Sequence, residues 1–591
     1  MNSKLSNTHK QLINEVSGDQ LMYYTSQLTK EVRLSGSAEE LRAFQYAKEV
    51  LDDLGLETKL SFHQGYISLP VEAELQVGGE SYPCITHSMS VSTGDGGLNG
   101  DLIYIKELTN QLQVTGSIVL TEGIATPGAV RILEKAGALG AIFINGTFTH
   151  EMTVSRVWGN PTPETKKQFP TIPVISITEK VGTLIKENLS QSAINNSVWF
   201  KTVVDTAWRD IPTLVADIKG EIEPEKFVLF SGHIDSWHYG AMDNGSANAT
   251  MLEVARVIIN QQVKLRRSLR IAFWSGHSHG RYTGSTYYCD NNWEDIHENC
   301  MLHVYVDSVG GKGATILSES NCMVETKELG GSFVEELTGE EFIGKRFGRG
   351  GDQSFWGTGT PALFMGLSEQ PISDDIASQT LVKLFGGIKS GGFGWWWHTT
   401  EDTLDKLDKD NLQRDCKVYT AVIYDACTSK IIPLNHAAGA KELKEALNVY
   451  AKLAGEILDL NVAVTRVENL EKLAEEINHT PLDIDWSDEE AKEINKRLIA
   501  ISHYLIPLSY VSGDIYDHDL AINQPVIPLL KDIATLVELE PGSDIALEWQ
   551  TILKRRLNKV EYTLLKATRI VESLIKYQGE LGVKKESKII I

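Results

Sequence analysis

The sequence predicts an α/β fold built on a mixed, largely parallel sheet flanked by helices. From about residue 213, short apolar runs alternate with helical patterns, as expected for strands that are buried on both faces. A unit of mixed strands and helix precedes this region. From about residue 433 onward the pattern is almost entirely helical. The chain therefore divides into a sheet-based body, an inserted α+β unit and a C-terminal helical part.

The N-terminal region starts with helices and continues with strands. Residues 8–55 predict two helices, and Ser37 begins the second as a capping-box residue. Residues 58–105 alternate apolar and polar side chains, which predicts strands. Residues 115–147 then predict a strand, a helix and a second strand. This inserted unit carries no obvious chemistry of its own.

Four strands are predicted in the following part of the body, and each is a short apolar run. They begin at Phe227, Leu269, Met301 and Pro361. We place the body at residues 1–60 and 205–430, the inserted unit at 61–204 and the helical domain at 431–591.

The bulk composition limits the function. The 591 residues carry a net charge of -23, which argues against a general nucleic-acid binder and against attachment to an anionic membrane. No signal-peptide pattern and no run of about 18 apolar residues occurs. The six cysteines are scattered without metal-type spacing. These features predict a cytoplasmic protein with reduced thiols.

Four short motifs place a His or an Asp where a strand-like run ends. The side chains they supply are His233, Asp243, Asp307 and His398. An open α/β sheet binds its ligands outside the carboxyl ends of its strands, and imidazole and carboxylate groups suit zinc. A single Asp in such a position is usually a turn residue. Four in this order favour a metal site. Asp235 follows His233 by two residues, so its side chain can support that ring.

The motifs resemble the zinc aminopeptidase family that includes glutamate carboxypeptidase II and the transferrin receptor. The resemblance lies in Gly232-His-Ile-Asp-Ser-Trp, in Gly240-Ala-Met-Asp-Asn-Gly-Ser-Ala and in Trp397-His-Thr-Thr-Glu-Asp-Thr-Leu-Asp. Residues 115–200, with Glu134-Lys-Ala-Gly-Ala-Leu-Gly-Ala-Ile, resemble the family's protease-associated domain. The C-terminal helices resemble its dimerising helical domain. The family therefore implies a homodimer.

The resemblance also implies roles for individual residues. His233, Asp243, Asp307 and His398 would bind two zinc ions, with manganese or cobalt as alternatives. Asp243 would bridge the two ions and Asp235 would support His233. Gly350-Gly-Asp-Gln-Ser-Phe-Trp resembles a substrate-side loop, which makes Asp352 a candidate substrate contact.

One motif departs from the family. Two adjacent Glu residues, a general base and a ligand, are expected after the strand that ends at Trp274, but the chain has Gly276-His-Ser-His-Gly. Alignment backwards from Gly284 matches the pair to Ser278 and His279, and alignment forwards from Trp274 matches it to His277 and Ser278. We expect a His to replace the ligand and favour His279. His277 is then a candidate base.

Aromatic and basic residues near the motifs suggest how a substrate is held. Three consecutive Trp residues end at Trp397, and at least one is expected to form a wall of the pocket. Arg349 and Arg281 are candidates for binding a carboxylate.

The function predicted is hydrolysis of a peptide or related amide bond by metal-activated water. The alternatives are a non-catalytic binding protein like the transferrin receptor, or a hydrolase of a small non-peptide amide.

Overall fold

A computed structural model of the chain describes residues 4–190, 196–385, 387–478 and 486–589. Within these ranges the strands are β1 (Thr58–Val77), β2 (Glu80–Tyr82), β3 (Ile85–Thr86), β4 (Leu98–Tyr104), β5 (Ser117–Glu122), β6 (Gly140–Ile144), β7 (Val174–Ile177), β8 (Ser197–Ile218), β9 (Glu223–His233), β10 (Arg267–Trp274), β11 (Cys300–Tyr305) and β12 (Ala362–Phe364). All twelve belong to one sheet.

The sheet is mixed and largely parallel, which confirms the predicted fold class. Its main strand order is β12-β11-β9-β10-β8-β4-β5-β6-β7-β3, with β1 beside β8 and β2 beside β1. Strands β9 to β12 pair in parallel, as do β4 to β7. Strand β8 lies between the two groups and runs antiparallel to both β10 and β4.

The inserted unit is connected to the body by a long antiparallel ribbon. Strands β1 and β8 pair from Thr58 with Ala216 to Val77 with Val198. Residues 213–218 of β8 pair with β10, and residues 197–200 pair with β4. The boundaries expected at residues 60–61 and 204–205 therefore fall inside continuous strands. The sheet joins the two parts without a flexible linker.

Helices cover the faces of the sheet and form the C-terminal region. In the body and the inserted unit they are α1 (Asn7–Glu15), α2 (Gly18–Leu28), α3 (Ala38–Asp53), α4 (Pro127–Lys135), α5 (Glu179–Ser190), α6 (Ala247–Asn260), α7 (Thr283–Asn291), α8 (Trp293–Asn299), α9 (Lys327–Thr338), α10 (Ile376–Phe385) and α11 (Lys409–Thr428). The C-terminal helices are α12 (His436–Ala454), α13 (Asn461–Asn478), α14 (Asp488–Tyr510), α15 (Ile533–Val537) and α16 (Asp544–Ile589).

The N-terminal region has three helices where the sequence predicted two. The hydroxyl of Ser17 accepts a hydrogen bond from the backbone N–H of Gln20 and caps a new helix there. Ser37 caps α3 as predicted, by accepting the N–H of Glu40. The Glu40 carboxylate accepts the N–H of Gly36. The expected capping box, in which Glu40 would return to Ser37, is therefore wrong in this detail.

Two separate apolar cores support the body and the helical region. Helices α1, α2, α6 and α11 pack with β9, β10 and β11 in the larger core. Helices α12 to α16 bury a second core that includes Leu443, Leu498 and Leu557. Among the described residues, no helix combines the length and the apolar character that crossing a membrane requires.

We predict that His87 makes part of the stability depend on pH. Its ring is fully buried beside β7, with Nε2 2.8 Å from the hydroxyl of Ser176. Burial lowers the pKa of His87 from 6.5 to about 3. Because the folded protein disfavours the charged ring, stability is retained above pH 6.5 and is lost as the pH falls towards 3, by about 2 kcal/mol between pH 7 and pH 5.

Calorimetric Tm values at pH 7 and pH 5 test this prediction. His87→Gln should show a smaller fall in Tm than the unmodified protein. Ser176→Ala is the control, because it removes the hydrogen-bond partner and keeps the titrating ring. An equal fall in Tm for His87→Gln and the unmodified protein would contradict the prediction.

Candidate metal centre

The carboxyl ends of three neighbouring strands bring the predicted ligands to one edge of the sheet. His233 is the last residue of β9, and Asp307 lies two residues after β11. The 276–280 loop follows β10 closely. Strand β9 lies between β10 and β11 and runs parallel to both, so all three ends open on the same side. This is the edge at which open α/β sheets bind ligands.

His233 presents a buried ring nitrogen to two carboxylates. Its Nε2 atom lies 3.2 Å from Asp243 Oδ1 and 3.4 Å from Asp307 Oδ2. That atom is buried and makes no well-aligned hydrogen bond. Its Nδ1 atom lies 2.9 Å from the backbone oxygen of Asp235, which accepts the Nδ1 proton. Nε2 is therefore the ring nitrogen that faces the two carboxylates.

Asp243 lies between the two predicted histidine ligands. Its Oδ1 atom faces His233, and its Oδ2 atom lies 3.0 Å from His398 Nε2. The residue belongs to an irregular turn, Ala241–Ser246, after Gly240 in a left-handed conformation. Asp402 fixes this turn by accepting the backbone N–H groups of Met242 and Asp243, at 2.9 and 3.0 Å. The carboxylate is held in a bridging orientation.

His398 is held by a segment of the inserted unit. Its Nδ1 atom donates to the backbone oxygen of Glu151 at 2.8 Å, and the N–H of Glu151 donates to the His398 oxygen at 2.8 Å. The ring of Trp397 stacks on the His398 ring at a centroid distance of 3.4 Å. These contacts leave His398 Nε2 for Asp243 or for a metal ion.

Asp307 is oriented by two hydroxyl groups. Tyr305 donates to Asp307 Oδ2 at 2.6 Å, and Ser308 donates to Asp307 Oδ1 at 3.0 Å. Burial raises the pKa of Tyr305 well above its ordinary value, with Asp307 adding to the effect. The phenol therefore stays protonated and keeps donating to the carboxylate.

His277 joins this cluster. Single ligand atoms of His233, His277 and Asp307 lie within 4.8 Å of one another, a spacing that one metal ion can span. The His277 ring stacks on that of His233 at 3.6 Å. Its Nδ1 atom lies 2.8 Å from Asp352 Oδ2, and Ser285 donates to the other Asp352 oxygen at 2.6 Å. A carboxylate behind an imidazole is the usual support for a metal-binding histidine.

The structure does not place His279, the preferred replacement ligand, in the three-residue cluster. Its Nδ1 atom lies 3.0 Å from the hydroxyl of Ser35, and its ring packs against Trp237 at 4.4 Å. Burial lowers the pKa of His279 to about 4. Among the described residues, His277 and not His279 shares a three-residue ligand cluster with His233 and Asp307.

Asp235 supports the cluster, although in a different way from the one predicted. The backbone oxygen of Asp235, and not its carboxylate, lies closest to His233 Nδ1; Asp235 Oδ1 is 3.6 Å away. The carboxylate accepts the N–H groups of His277 and Ser278, at 3.3 and 2.8 Å, and the Ser35 hydroxyl at 2.6 Å. Asp235 is a positioning residue that ties β9 to the 276–280 loop.

The electrostatics of the cluster favour a bound cation. Burial alone would lower the pKa of His233, but Asp235, Asp243 and Asp307 raise it well above its ordinary value. Burial alone would raise the pKa of Asp243, but His233 and His398 hold it well below its usual range. Positive charge is therefore stabilised where these side chains meet. The imidazole and carboxylate donors fit zinc.

A cavity of about 150 Å³ opens onto the cluster. The predicted wall residue Trp397 lines it, together with Trp237 and three phenylalanines, Phe347, Phe364 and Phe393. Ser278, Arg281 and Arg349 also line it. The cavity beside the candidate metal position therefore combines several aromatic side chains with two positively charged ones.

Two of the predicted substrate contacts serve mainly structural roles. Asp352 is fully buried and binds His277 and Ser285, and it does not line the cavity. The Arg349 guanidinium donates to the backbone oxygens of Asp519 and Leu520, at 2.6 and 3.4 Å. It lies over the rings of Trp158 and Trp356. These donors hold a C-terminal loop, and binding of a substrate carboxylate by Arg349 stays a prediction.

Several supporting residues were not found from the sequence. The backbone of Glu151 and the hydroxyl of Ser35 lie far along the chain from the residues they contact, as does the guanidinium of Arg33, which donates to the backbone oxygens of Ile234 and Gly240. Tyr305 lies only two residues before Asp307. No local pattern marks them. Asp402 lies within the Trp397–Asp405 motif, and this position is the feature of the sequence that could have indicated its supporting role.

The family model that matches the chain is Peptidase family M28, over residues 213–423. This range contains His233, Asp243, His277, Asp307 and His398. The match confirms the resemblance to the zinc aminopeptidase family.

Similar curated proteins agree with this match. The chain is 30% identical over 170 residues to the probable glutamate carboxypeptidase VP8 of Zea mays, covering 25% of this chain and 24% of that protein. It is 22% identical to the aminopeptidase YwaD of Bacillus subtilis, covering 68% of this chain and 83% of that protein. The chain spans about a quarter of the maize protein and 53% of the probable glutamate carboxypeptidase AMP1 of Arabidopsis thaliana.

Solved structures show the same fold. A Peptidase M28 precursor from Shewanella amazonensis SB2B has a TM-score of 0.57 at 17% identity, covering 72% of this chain and 97% of that one. A zinc aminopeptidase from Bacillus subtilis has a TM-score of 0.54 at 20% identity, covering 70% and 96%.

We predict that Asp402→Asn weakens zinc binding without unfolding the protein. An amide in place of the carboxylate loses one of the two acceptors that fix the backbone N–H groups of Met242 and Asp243. Loss of such support typically costs about 10- to 100-fold in metal affinity. The exposed Asp405→Asn is a matched control. Competition with a chromophoric chelator measures both affinities, and equal affinities would contradict the prediction.

Proposed function

We propose that this chain is a metal-dependent hydrolase that cleaves peptide or related amide bonds, with zinc at the cluster around His233. The observation that carries the proposal is the position of Asp243. Its two oxygens face His233 and His398, while Asp307 approaches His233 from a neighbouring strand. Such an arrangement of imidazoles and carboxylates is typical of hydrolytic metal sites.

The comparisons support the proposal in two ways. The matched family is a peptidase family, and the matched residues include the whole cluster. Relatives that cover different parts of the chain are named as aminopeptidases or probable glutamate carboxypeptidases. Zinc is supported by the fold shared with a protein described as a zinc aminopeptidase.

The residues around the cluster prepare it for metal-assisted hydrolysis. A bound zinc ion would supply Lewis-acid polarisation of a substrate carbonyl and would make water more acidic. The backbone oxygens of Asp235 and Glu151 set the ring orientations of His233 and His398. Tyr305 and Ser308 keep Asp307 in place. Because these contacts are formed in advance, the ligands need no rearrangement during the reaction.

The cavity indicates the kind of substrate. Trp237, Trp397 and Phe393 form an apolar surface beside Asp243 and His398, which suits a bulky apolar or aromatic group next to the scissile amide. Arg281 lines the same cavity and provides a positive charge. Peptides and small non-peptide amides both fit this chemistry.

A binding protein without catalytic activity is the second candidate function. The segment His277-Ser278-His279 stands where the family has two acids, one of which acts as the base, and either alignment replaces both acids by a His and a Ser. A chain that binds zinc but hydrolyses no amide would support this second candidate.

A substrate screen tests the proposed hydrolysis. Zinc-loaded protein should release amine from at least one member of a panel of dipeptides, N-acyl amino acids and cyclic amides. Asp243→Asn should lower the rate by about 100-fold or more, because it removes the carboxylate that both histidines face. Asp101→Asn, on an exposed part of β4, should keep the full rate. An Asp243→Asn variant that keeps both zinc and turnover would contradict this mechanism.

A further inference from the structure

The two potential metal positions beside Asp243 have unequal sets of donors. One lies on the side of Asp243 Oδ1 and the other on the side of Asp243 Oδ2. Catalytic zinc sites generally use three protein ligands. Counting the donors on each side therefore indicates how many ions the chain can hold.

The position on the Oδ1 side has three protein donors, as many as a catalytic zinc site generally uses. His233, His277 and Asp307 offer ligand atoms within 4.8 Å of one another. Asp243 is not one of these three residues, but its Oδ1 atom is 3.2 Å from His233 Nε2. The His277 Nδ1 atom is already engaged by the buried carboxylate of Asp352, so its Nε2 atom is free for a metal.

The position on the Oδ2 side has two donors. His398 Nε2 lies 3.0 Å from Asp243 Oδ2. Across the part of the chain that the structure describes, no third His, Cys, Asp or Glu forms a ligand cluster with this pair. Ser278 lines the same cavity as Asp243 and His398, but a neutral hydroxyl is a poor substitute for a carboxylate.

The backbone keeps Ser278 in this place. Its N–H donates to Asp235 Oδ2 at 2.8 Å, and its backbone oxygen accepts the hydroxyl of Thr153. His279, the next residue, is held by Ser35. The loop therefore presents His277 to the first position and a serine side chain to the cavity.

We infer that the chain binds one zinc ion tightly, through His233, His277 and Asp307 with Asp243, and that the position beside His398 lacks a ligand because residue 278 is serine. The inference rests on the proposed function in that it takes zinc as the metal. It changes the expected stoichiometry from two ions to one. It also assigns His277 as a ligand and not as a base.

Zinc stoichiometry tests this inference without any measurement of activity. Metal-free protein is titrated with zinc, passed through a desalting column in a weak chelator buffer and analysed for metal by mass spectrometry. We expect one equivalent per chain for the unmodified protein. Ser278→Glu supplies a carboxylate at the second position and should raise the value to two. Ser278→Gln, of similar size and without charge, should stay at one.

A second pair of variants tests His277 directly. His277→Ala should lower the affinity for the tightly bound zinc ion by more than about 100-fold, because loss of a ligand should cost at least as much affinity as loss of a supporting residue. His279→Ala, two residues away, should retain one equivalent with unchanged affinity. Circular dichroism confirms that each variant is folded before titration.

The outcomes separate this inference from the proposed function. Two equivalents of equal affinity in the unmodified protein would overturn the inference and leave hydrolysis standing. Unchanged affinity in His277→Ala would also overturn it, as would one equivalent in Ser278→Glu. One tight equivalent without turnover on any amide would sustain the inference and count against the proposed function.

Discussion

Several carboxylates are buried at the edge of the sheet where the parallel strands end, and the surrounding structure has to stabilise their negative charge. Asp235, Asp243, Asp307 and Asp402 are all buried there. An uncompensated charge inside a protein costs several kcal/mol. The carboxylate of Asp402 is stabilised because it accepts two backbone N–H groups. Burial raises the pKa of Asp402 to about 7. Asp235 accepts two backbone N–H groups and a hydroxyl.

Arg33 supplies fixed positive charge to the same region. The side chain is fully buried, and its guanidinium donates to the backbone oxygens of Ile234, Tyr239 and Gly240. Burial lowers the pKa of Arg33 to about 10, while Asp402, Asp235 and Asp243 oppose this shift. The group remains charged at neutral pH. The remaining negative charge belongs to Asp243 and Asp307. A metal ion between these carboxylates and His233 would balance it.

The inserted unit contributes side-chain and backbone contacts to the candidate metal centre. The β1–β8 ribbon makes it continuous with the body. Residues 150–153 then bind both sides of the cluster: Glu151 holds His398, and Thr153 holds the backbone of Ser278. A change in how this unit packs would therefore move ligands that belong to the body.

Strand-end residues could be predicted from the sequence because parallel strands bring their carboxyl ends to one edge. His233 and Asp307 meet for this reason, whereas Asp243 lies in the Ala241–Ser246 turn and His398 in a loop, and both reach the same edge without ending a strand. The choice between His277 and His279 could not be made, since the loop can be aligned with the family pattern in two ways and its path depends on Ser35 and Asp352. The contacts of Arg349 with Asp519 and Leu520 could not be predicted, because these partners lie about 170 residues further along the chain. Contacts of this kind leave no local signal.

Anomalous diffraction from crystals of the zinc-loaded protein would show how many zinc ions bind and which residues hold them. Data collected on both sides of the zinc absorption edge locate each ion. We predict one strong peak, about 2.0–2.1 Å from a ring nitrogen of His233 and of His277, next to Asp307. Two equally strong peaks on the two sides of Asp243, or a single peak that His277 does not contact, would contradict the account.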